Sequence, residues 1–580
     1  MSAQLEAIVT AGLKPELFAG RGLLSASRTL VIAALTVLIL VGFGFRVSGL
    51  SAEGLSEDEL NKLNAVADYR AHGLTGANGE HPMLMKALQA CSIIIAEKWN
   101  NSSLVASHPA EAIAPETALR LPGTILGALT ALLIYLITAE LFGAEVALIA
   151  AALWTFDPMA IGFNRVAKED TFLLFFFLLA NVFWLRGQRA AESTDTSPNR
   201  YYWLTGAAFG AMIASKYVPF LLAISMSYYW MFQNLPETRW RLGTKRIIKF
   251  FFIMGIVFLV LSPTILLPET WRQMGLFAGS KRISHDGYEF MGTLYTQRFD
   301  DWLWGIPVYF YAAFTLVKLP LLTVIGFLMG VPQLFRRKLG DGRYFIIFWL
   351  YFWFISFSFP GGKFTRYYTT VLPAVLITSS LGIQFTGRWL AKRISTFASG
   401  VRHYVPASLA VIVITSSVIA SIHAAPDFRL FTNSLGGGVA KEGTYFPHDE
   451  FYDASMRDTI AEIAGRAQPG AKVASESPLL ASYYAQRVNR ADLVCVSLSD
   501  PDGLNQLNAG DFVIVARGRR YFSNDALVSS LASSAKPEFQ MFLNTIPSVN
   551  VYVLNESTLG LIKSAAQVRA AAKLNTLSKS

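Results

Sequence analysis

The sequence predicts a polytopic α-helical membrane protein with a C-terminal α/β domain outside the bilayer. Three observations predict it: composition, recurrent apolar segments, and a change of pattern near the end. Of 580 residues, 53% are hydrophobic and only 16% are charged, and the mean hydropathy is +0.39. That is too apolar for an ordinary soluble enzyme. Segments of about 17 to 25 mostly apolar residues, enough to cross a hydrocarbon layer of roughly 30 Å, begin near Thr29, Pro122, Ala144, Thr171, Trp203, Tyr217, Phe250, Leu319, Tyr344, Thr370 and Val405. They predict about eleven spans. From Pro426 to Ser580 a helix-like DEFYDASMRDTIAEIAGRA and short β-like runs KVASES, DLVCVSL, DFVIVARG and VNVYVL alternate. The stretch after Gly560 reads as an exposed helix or frayed end.

The first apolar run, Leu30 to Phe45, is followed by no small-residue cleavage site and reads as a retained anchor. Basic residues mark every alternate loop, from Lys14, Arg21 and Arg28 before the first span to Arg388, Lys392, Arg393 and Arg402 after the tenth. Those loops are assigned to the cytoplasm. The chain then divides into a cytoplasmic segment 1–28, a transmembrane domain 29–424 with a first outer loop 46–121, and an extracytoplasmic domain 425–580. The net charge of +10 reflects topology and anionic headgroups rather than nucleic acid. Cys91 and Cys495 define no disulfide framework or metal site. No P-loop or dinucleotide fingerprint is present.

Charged residues at membrane depth are expensive, so each marks a candidate site. On the outer side lie Arg120 at the head of the second span, Arg165, Lys168, Glu169 and Asp170 between the third and fourth, Lys216 between the fifth and sixth, and Lys363, Arg366 and Tyr367 in GGKFTRYY. His285 belongs to another outer loop. Several of these cations run against the positive-inside bias, which a buried anion near the outer surface explains. Simpler readings compete: Glu169 and Asp170 complement a helix N-terminus, and Arg120, Lys216 and Lys318 snorkel to headgroups. In GLSEDEL, Gly54 to Leu60, Ser56 and Glu59 fit a capping box opening a helix through Tyr69. Glu57 reads as solvated.

These residues carry a family pattern. Asp58-Glu59 followed by HPMLMKAL, with His81 and Lys86, resembles the DE and HPPLGK elements in the first outer loop of the protein O-mannosyltransferase family. RLPGTILGALTALLIYL resembles that family's Arg-led second span, NRVAKEDTFLLFF its R-x-x-L-L-D segment, and GAAFGAMIASKYVPF its Gly-rich segment ending in Lys. GGKFTRYYTTVLPAVL resembles the K-x-x-R-Y element of bacterial relatives, which include the aminoarabinose transferase of lipid A. All are GT-C membrane glycosyltransferases (glycosyltransferase family 39), which use polyprenyl-phosphate-linked sugars. The chain departs from the eukaryotic members. Its loop Pro268 to Asp301 is too short for their β-trefoil, and HPMLMK lacks the second Pro and the Gly. A prokaryotic member is expected, in the plasma membrane rather than the endoplasmic reticulum.

The resemblance implies an inverting transfer of a mannose-like hexose or related sugar from a polyprenyl-phosphate donor to a hydroxyl of a protein, lipid or glycan. Asp58 is then the base, with Glu59 positioning it. Asp170 orients the acceptor, pairs with Arg165, or joins Asp58 on a divalent cation. Arg120, Arg165, Lys216, Lys363 and Arg366 are the phosphate contacts, since phosphate needs cationic donors. His81 and Lys86 shape the first-loop site, and Glu169, His285 and Tyr367 are further candidates. The alternative class is a polytopic secondary transporter of an anionic solute, whose charges would sit near the midplane in two related halves. A third is an assembly protein on an inactive transferase scaffold.

Overall fold

The computed structural model describes residues 28–192, 197–234, 240–279, 285–394 and 402–577. Lys14, Arg21 and Arg239 of the predicted cytoplasmic segments lie outside them. Each of the eleven predicted starts falls at or near a helix: α1 Arg28–Val47, α4 Pro115–Phe142, α5 Ala144–Phe156, α7 Glu169–Glu192, α8 Asn199–Ser215, α9 Leu222–Phe232, α10 Thr244–Leu261, α11 Leu321–Leu334, α12 Gly342–Ser358, α13 Leu372–Ile394 and α14 Val405–Ala424. Between α1 and α4 lie α2 Glu57–His72 and α3 Met83–Asn100. Among the described residues four helices are individually long and apolar enough to cross a membrane: Thr29–Val47 of α1, α4, α7 and α14. A fifth span arises if α5 and the following α6 (Pro158–Asn164), bent by 60°, count together.

The bend between α5 and α6 has an identifiable cause. Asp157 leaves the helical region and caps α6, its Oδ1 accepting the Ala160 N–H at 2.9 Å, with Pro158 at the first helical position. The carbonyls freed at the break need partners in an apolar setting. Arg46 of α1 supplies them, donating to Trp154 O at 3.2 Å, Thr155 O at 3.3 Å and, through Nε, Asn164 Oδ1 at 2.9 Å. Elsewhere small residues let backbones touch: a Cβ on Gly330 of α11 would lie 1.9 Å from the Thr378 carbonyl of α13.

The last part of the chain forms a five-stranded sheet in the order β4-β3-β5-β7-β6. Its strands are β3 Lys472–Ser475, β4 Val494–Ser497, β5 Phe512–Ala516, β6 Phe539–Leu543 and β7 Ile546–Val553; a separate hairpin, β1 Tyr288–Phe290 with β2 Thr293–Tyr295, precedes them. β4, β3 and β5 are parallel, while β7 runs antiparallel to both β5 and β6. β6 escaped the sequence reading because it is an edge strand in which no residue is buried. One hydrophobic core joins sheet residues Val473, Phe512 and Val551 to Leu55 just before α2, Leu60 of α2 and Leu119 of α4.

Two expectations are corrected. DEFYDASMRDTIAEIAGRA is two helices, Pro447–Phe451 and Met456–Arg466, because Tyr452 and Asp453 adopt φ of +45° and +61°. Lys318 does not snorkel to headgroups: it is 1% exposed and paired with Glu450 at 2.5 Å.

Candidate active site

The site is organised by the first turn of α2. Ser56 Oγ accepts the Glu59 N–H at 3.3 Å and Glu59 Oε2 accepts the Ser56 N–H at 2.9 Å, which completes the expected capping box. Glu59 is fully buried and does more. Its Oε1 accepts the Ala167 N–H at 2.8 Å, and both oxygens receive Arg120, Nε at 2.8 Å and Nη2 at 2.7 Å. Glu59 thereby draws the VAKED loop onto α2. There Lys168 Nζ meets Asp58 Oδ2 at 2.6 Å.

Asp58 faces the other way. Its side chain is 39% exposed, and Oδ2 also accepts the Tyr452 hydroxyl at 2.7 Å. Burial raises its carboxyl, but Lys168 and Arg366 outweigh that and hold it well below the usual carboxylate range. A second layer of pairs backs it. Lys62, one turn along α2, meets Glu169 Oε1 at 2.7 Å, and His81 Nδ1 lies 3.3 Å from the same oxygen. Burial keeps His81 well below its ordinary range, so it stays neutral. Asp170 Oδ1 pairs with Lys216 at 2.6 Å, leaving its buried Oδ2 unpartnered, and the Lys216 ammonium sits 4.6 Å from the Tyr367 ring.

The five predicted phosphate cations separate by what their N–H groups already do. Arg120 donates to Leu50 O, Glu53 O and Gly54 O besides Glu59, which occupies all five of its N–H groups. Arg165 donates to Arg46 O, Ser48 O and Gly49 O, closing the C-terminal end of α1. Lys363 is buried and donates to Ile306 O at 2.6 Å and Pro360 O at 2.5 Å. These three hold backbone, and Arg165 does not pair with Asp170 as one expectation had it. Lys86 holds backbone too, donating to the carbonyls of Ala77, Asn78 and His81, which clamps the first-loop turn rather than facing a ligand. Arg366 differs. It lies over the Phe364 ring at 3.8 Å, its closest carboxylate oxygen is Asp449 Oδ1 at 3.7 Å, and its buried Nη1 has no hydrogen-bond partner.

The sequence reading missed the groups that arrive from the C-terminal part. Tyr452 reaches Asp58. Asp449 Oδ2 accepts Tyr288 Oη at 2.6 Å and the Thr365 N–H at 2.9 Å, which fixes the turn bearing Arg366. Glu57 is not simply solvated: its N–H donates to Asp453 Oδ2 at 3.2 Å and its carboxylate meets Arg519 Nη1 at 3.2 Å. His285 stacks on Tyr521 at 4.1 Å and bonds Arg519, so it belongs to this outer layer and not to Asp58. Nothing in the local sequence announces these contacts across hundreds of residues. Lys62 alone left a signal, four residues after Asp58 on the same helix face.

Asp58 and Asp170 do not fit the divalent-cation expectation in this arrangement. Each already carries a lysine ammonium, which a metal ion would have to face. Among the described residues no group of three or more His, Cys, Asp or Glu is gathered for a metal.

No protein of curated function matches the chain. Residues 112–266 match the family described as dolichyl-phosphate-mannose-protein mannosyltransferase. Among solved structures, the archaeal oligosaccharyltransferase AglB from Archaeoglobus fulgidus, in complex with an inhibitory peptide and a dolichol-phosphate, aligns at a TM-score of 0.50 and 12% identity over 84% of this chain and 69% of that one. ArnT from Cupriavidus metallidurans, bound to undecaprenyl phosphate, aligns at 0.49 and 14% identity over 91% of this chain and 99% of that one. The protein O-mannosyltransferase Pmt1-Pmt2 complex of S. cerevisiae, bound to the sugar donor, aligns at 0.31 and 20% identity over 45% of this chain and 36% of that one. The family match over the second span onward, with the AglB likeness in fold, bears out the resemblance to GT-C membrane glycosyltransferases.

Proposed function

We propose that the chain is an inverting glycosyltransferase that moves a mannose-like hexose or related sugar from a polyprenyl-phosphate donor to a hydroxyl of a protein, lipid or glycan, on the outer face of a prokaryotic plasma membrane. The family match and the dolichol-phosphate bound by AglB support a lipid-linked donor. One observation carries the reading: Asp58 keeps an exposed face and an ion pair with Lys168, and the cation Arg366, which acts on its carboxyl, has an unspent N–H.

In this reading Asp58 takes the proton of the acceptor hydroxyl. The new bond forms at the anomeric carbon while the bond to phosphate oxygen breaks, and its electron pair leaves on the phosphate. Arg366 and Lys216 receive that charge. Lys168 keeps Asp58 ionised, so it is a weak base toward a resting alcohol and acts only as the oxocarbenium-like transition state acidifies the attacking hydroxyl. Arg120, Arg165, Lys86 and Lys363 are framework. The transporter alternative draws on the broken pair α5–α6, but Arg46 occupies the carbonyls exposed there.

Purified protein is incubated with a panel of polyprenyl-phosphate sugars and hydroxyl acceptors. Transfer by the wild type and none by Asp58→Asn is expected. Absence of both transfer and hydrolysis with every donor would sink the enzyme reading; full activity of Asp58→Asn would sink the base assignment alone.

A further inference from the structure

A sharp apolar turn lies between the β1–β2 hairpin and the helix Phe310–Lys318. Its tip is Trp302, Leu303 and Trp304, which are 58%, 59% and 88% exposed; Trp304 is the most exposed large hydrophobic side chain among the described residues. No charged residue occurs from Trp302 to Val317, and just ahead of the tip Arg298 pairs with Asp300 at 2.9 Å. Leu303 holds a φ of +68°, a conformation unfavourable for any residue but glycine. Large apolar side chains displayed on a strained turn mark an interaction surface.

The turn is fastened to the end of α12. The Leu303 N–H donates to Phe359 O at 3.1 Å and the Ile306 N–H to Gly361 O at 2.9 Å, while Lys363 Nζ donates to Ile306 O at 2.6 Å. The two segments lie so close that a Cβ on Gly305 would sit 2.6 Å from Gly361 Cα. α12 has 17 residues, about 26 Å of helix, which falls short of a hydrocarbon layer of roughly 30 Å. Its neighbours leave one face open: Tyr351, Ile355 and Phe359, spaced four apart, are 62%, 39% and 39% exposed. The turn continues that face beyond the helix end and lengthens its apolar surface. Arg336, Arg337, Lys338 and Arg343 mark the other end of α12, which puts the turn at the outer boundary, where tryptophan is the favoured interfacial residue.

We propose that Trp302, Leu303 and Trp304 dip into the outer leaflet and anchor this end of the chain at the headgroup boundary. The partner is the lipid surface itself, since an uncharged tip continuous with the open face of a spanning helix suits acyl chains and headgroup edges. The hydrogen bonds to Phe359, Gly361 and Lys363 join the anchor to the segment just ahead of Arg366, so it sets the depth of that guanidinium. That this depth serves a donor phosphate rests on the transferase reading above; the membrane contact does not.

The test uses the full chain with Cys91→Ser and Cys495→Ser and one new cysteine carrying an NBD fluorophore, in vesicles of phosphatidylcholine and phosphatidylglycerol. Trp304→Cys is the probe, with Tyr351→Cys, midway along α12, and Leu479→Cys, 69% exposed in the C-terminal part, as references. At Trp304 the fluorophore should emit further to the blue than at Leu479 and be shielded from iodide. A nitroxide lipid labelled near its headgroup should quench it more than one labelled at the chain end, the reverse of Tyr351. In the chain with both native cysteines, Trp304→Phe should lose part of the intrinsic emission that the headgroup-side nitroxide quenches. Water-like emission open to iodide would overturn the proposal. So would blue-shifted emission that no lipid nitroxide quenches, as a second copy covering the turn would give, or lipid quenching of intrinsic emission that Trp304→Phe leaves unchanged. No reading depends on sugar transfer, so failure of the anchor and failure of the enzyme reading are told apart.

Discussion

Arg120 and Arg366 both stand near the first turn of α2, and their surroundings are opposite. Around Arg120 every guanidinium N–H has a protein acceptor and Glu59 is wholly buried. Around Arg366 the partner is an aromatic face, the closest carboxylate is 3.7 Å away, and the adjacent acid, Asp58, is 39% exposed. The first region is a finished structure, because a buried charge survives only when fully paired. The second is unfinished in the way a site for an anionic group must be. Residue type does not separate the two regions; how many donors are already spent does.

Asp58→Asn breaks the open region most directly. Transfer should fall about 10²- to 10⁴-fold, the usual contribution of a positioned base, with little change in the thermal midpoint. The pH profile sharpens the point. Lys168 and Arg366 depress the Asp58 carboxyl, so it remains ionised as pH falls through the ordinary value of about 3.9. The stability its pairing contributes is present above that pH and lost only as pH falls through the lowered value. Activity should therefore show no acidic limb between neutrality and about pH 4; a limb near pH 6 in the rate of transfer would assign the base to another group.

Arg120→Gln tests the closed region and should act on folding instead. It leaves Glu59 buried without its charge partner, which costs about 3 to 5 kcal/mol. The thermal midpoint should drop steeply, while the fraction that remains folded keeps a wild-type donor KM. A raised KM in fully stable protein would mean that Arg120 contacts phosphate after all.

The fold was legible where the physics is local. Apolar segments announced eleven helices by composition alone, and the capping box of Ser56 and Glu59 was readable because both partners lie within four residues. The acids of GLSEDEL were visible as a group, but which one is buried depends on Arg120 and Ala167, placed on Glu59 by packing of α4 and the VAKED loop. The division of the cations was invisible for the same reason, since Lys86 and Lys363 are spent on carbonyls that a sequence does not display. Tyr452, with its positive φ, looked like mid-helix. Its partner Asp58 is 394 positions away.

Two smaller predictions bear on the open region. Arg366→Lys keeps the charge but loses the fork and the stacking on Phe364. Donor KM should rise roughly tenfold or more, as expected for loss of a charge-assisted hydrogen bond worth about 1.5 to 3 kcal/mol, with stability nearly unchanged because the guanidinium makes no close ion pair now. If KM is unmoved and stability falls, Arg366 belongs with Arg120 in the closed class.

Tyr452→Phe has the smallest expected effect and asks whether the C-terminal part takes part in the chemistry. The hydroxyl donates to Asp58 Oδ2, the oxygen that also meets Lys168. Both contacts fall on the same oxygen and fix the carboxylate. Removing one neutral donor costs about 0.5 to 1.5 kcal/mol, and Lys168 remains to hold the group. Transfer should therefore slow by a few-fold to about tenfold, in kcat rather than KM, because the loss falls on the orientation of the base and not on donor binding. The ring keeps its place, so the thermal midpoint should hold. A wild-type kcat in Tyr452→Phe would confine the C-terminal segment to scaffolding, and the open region would then be built from the helical part alone.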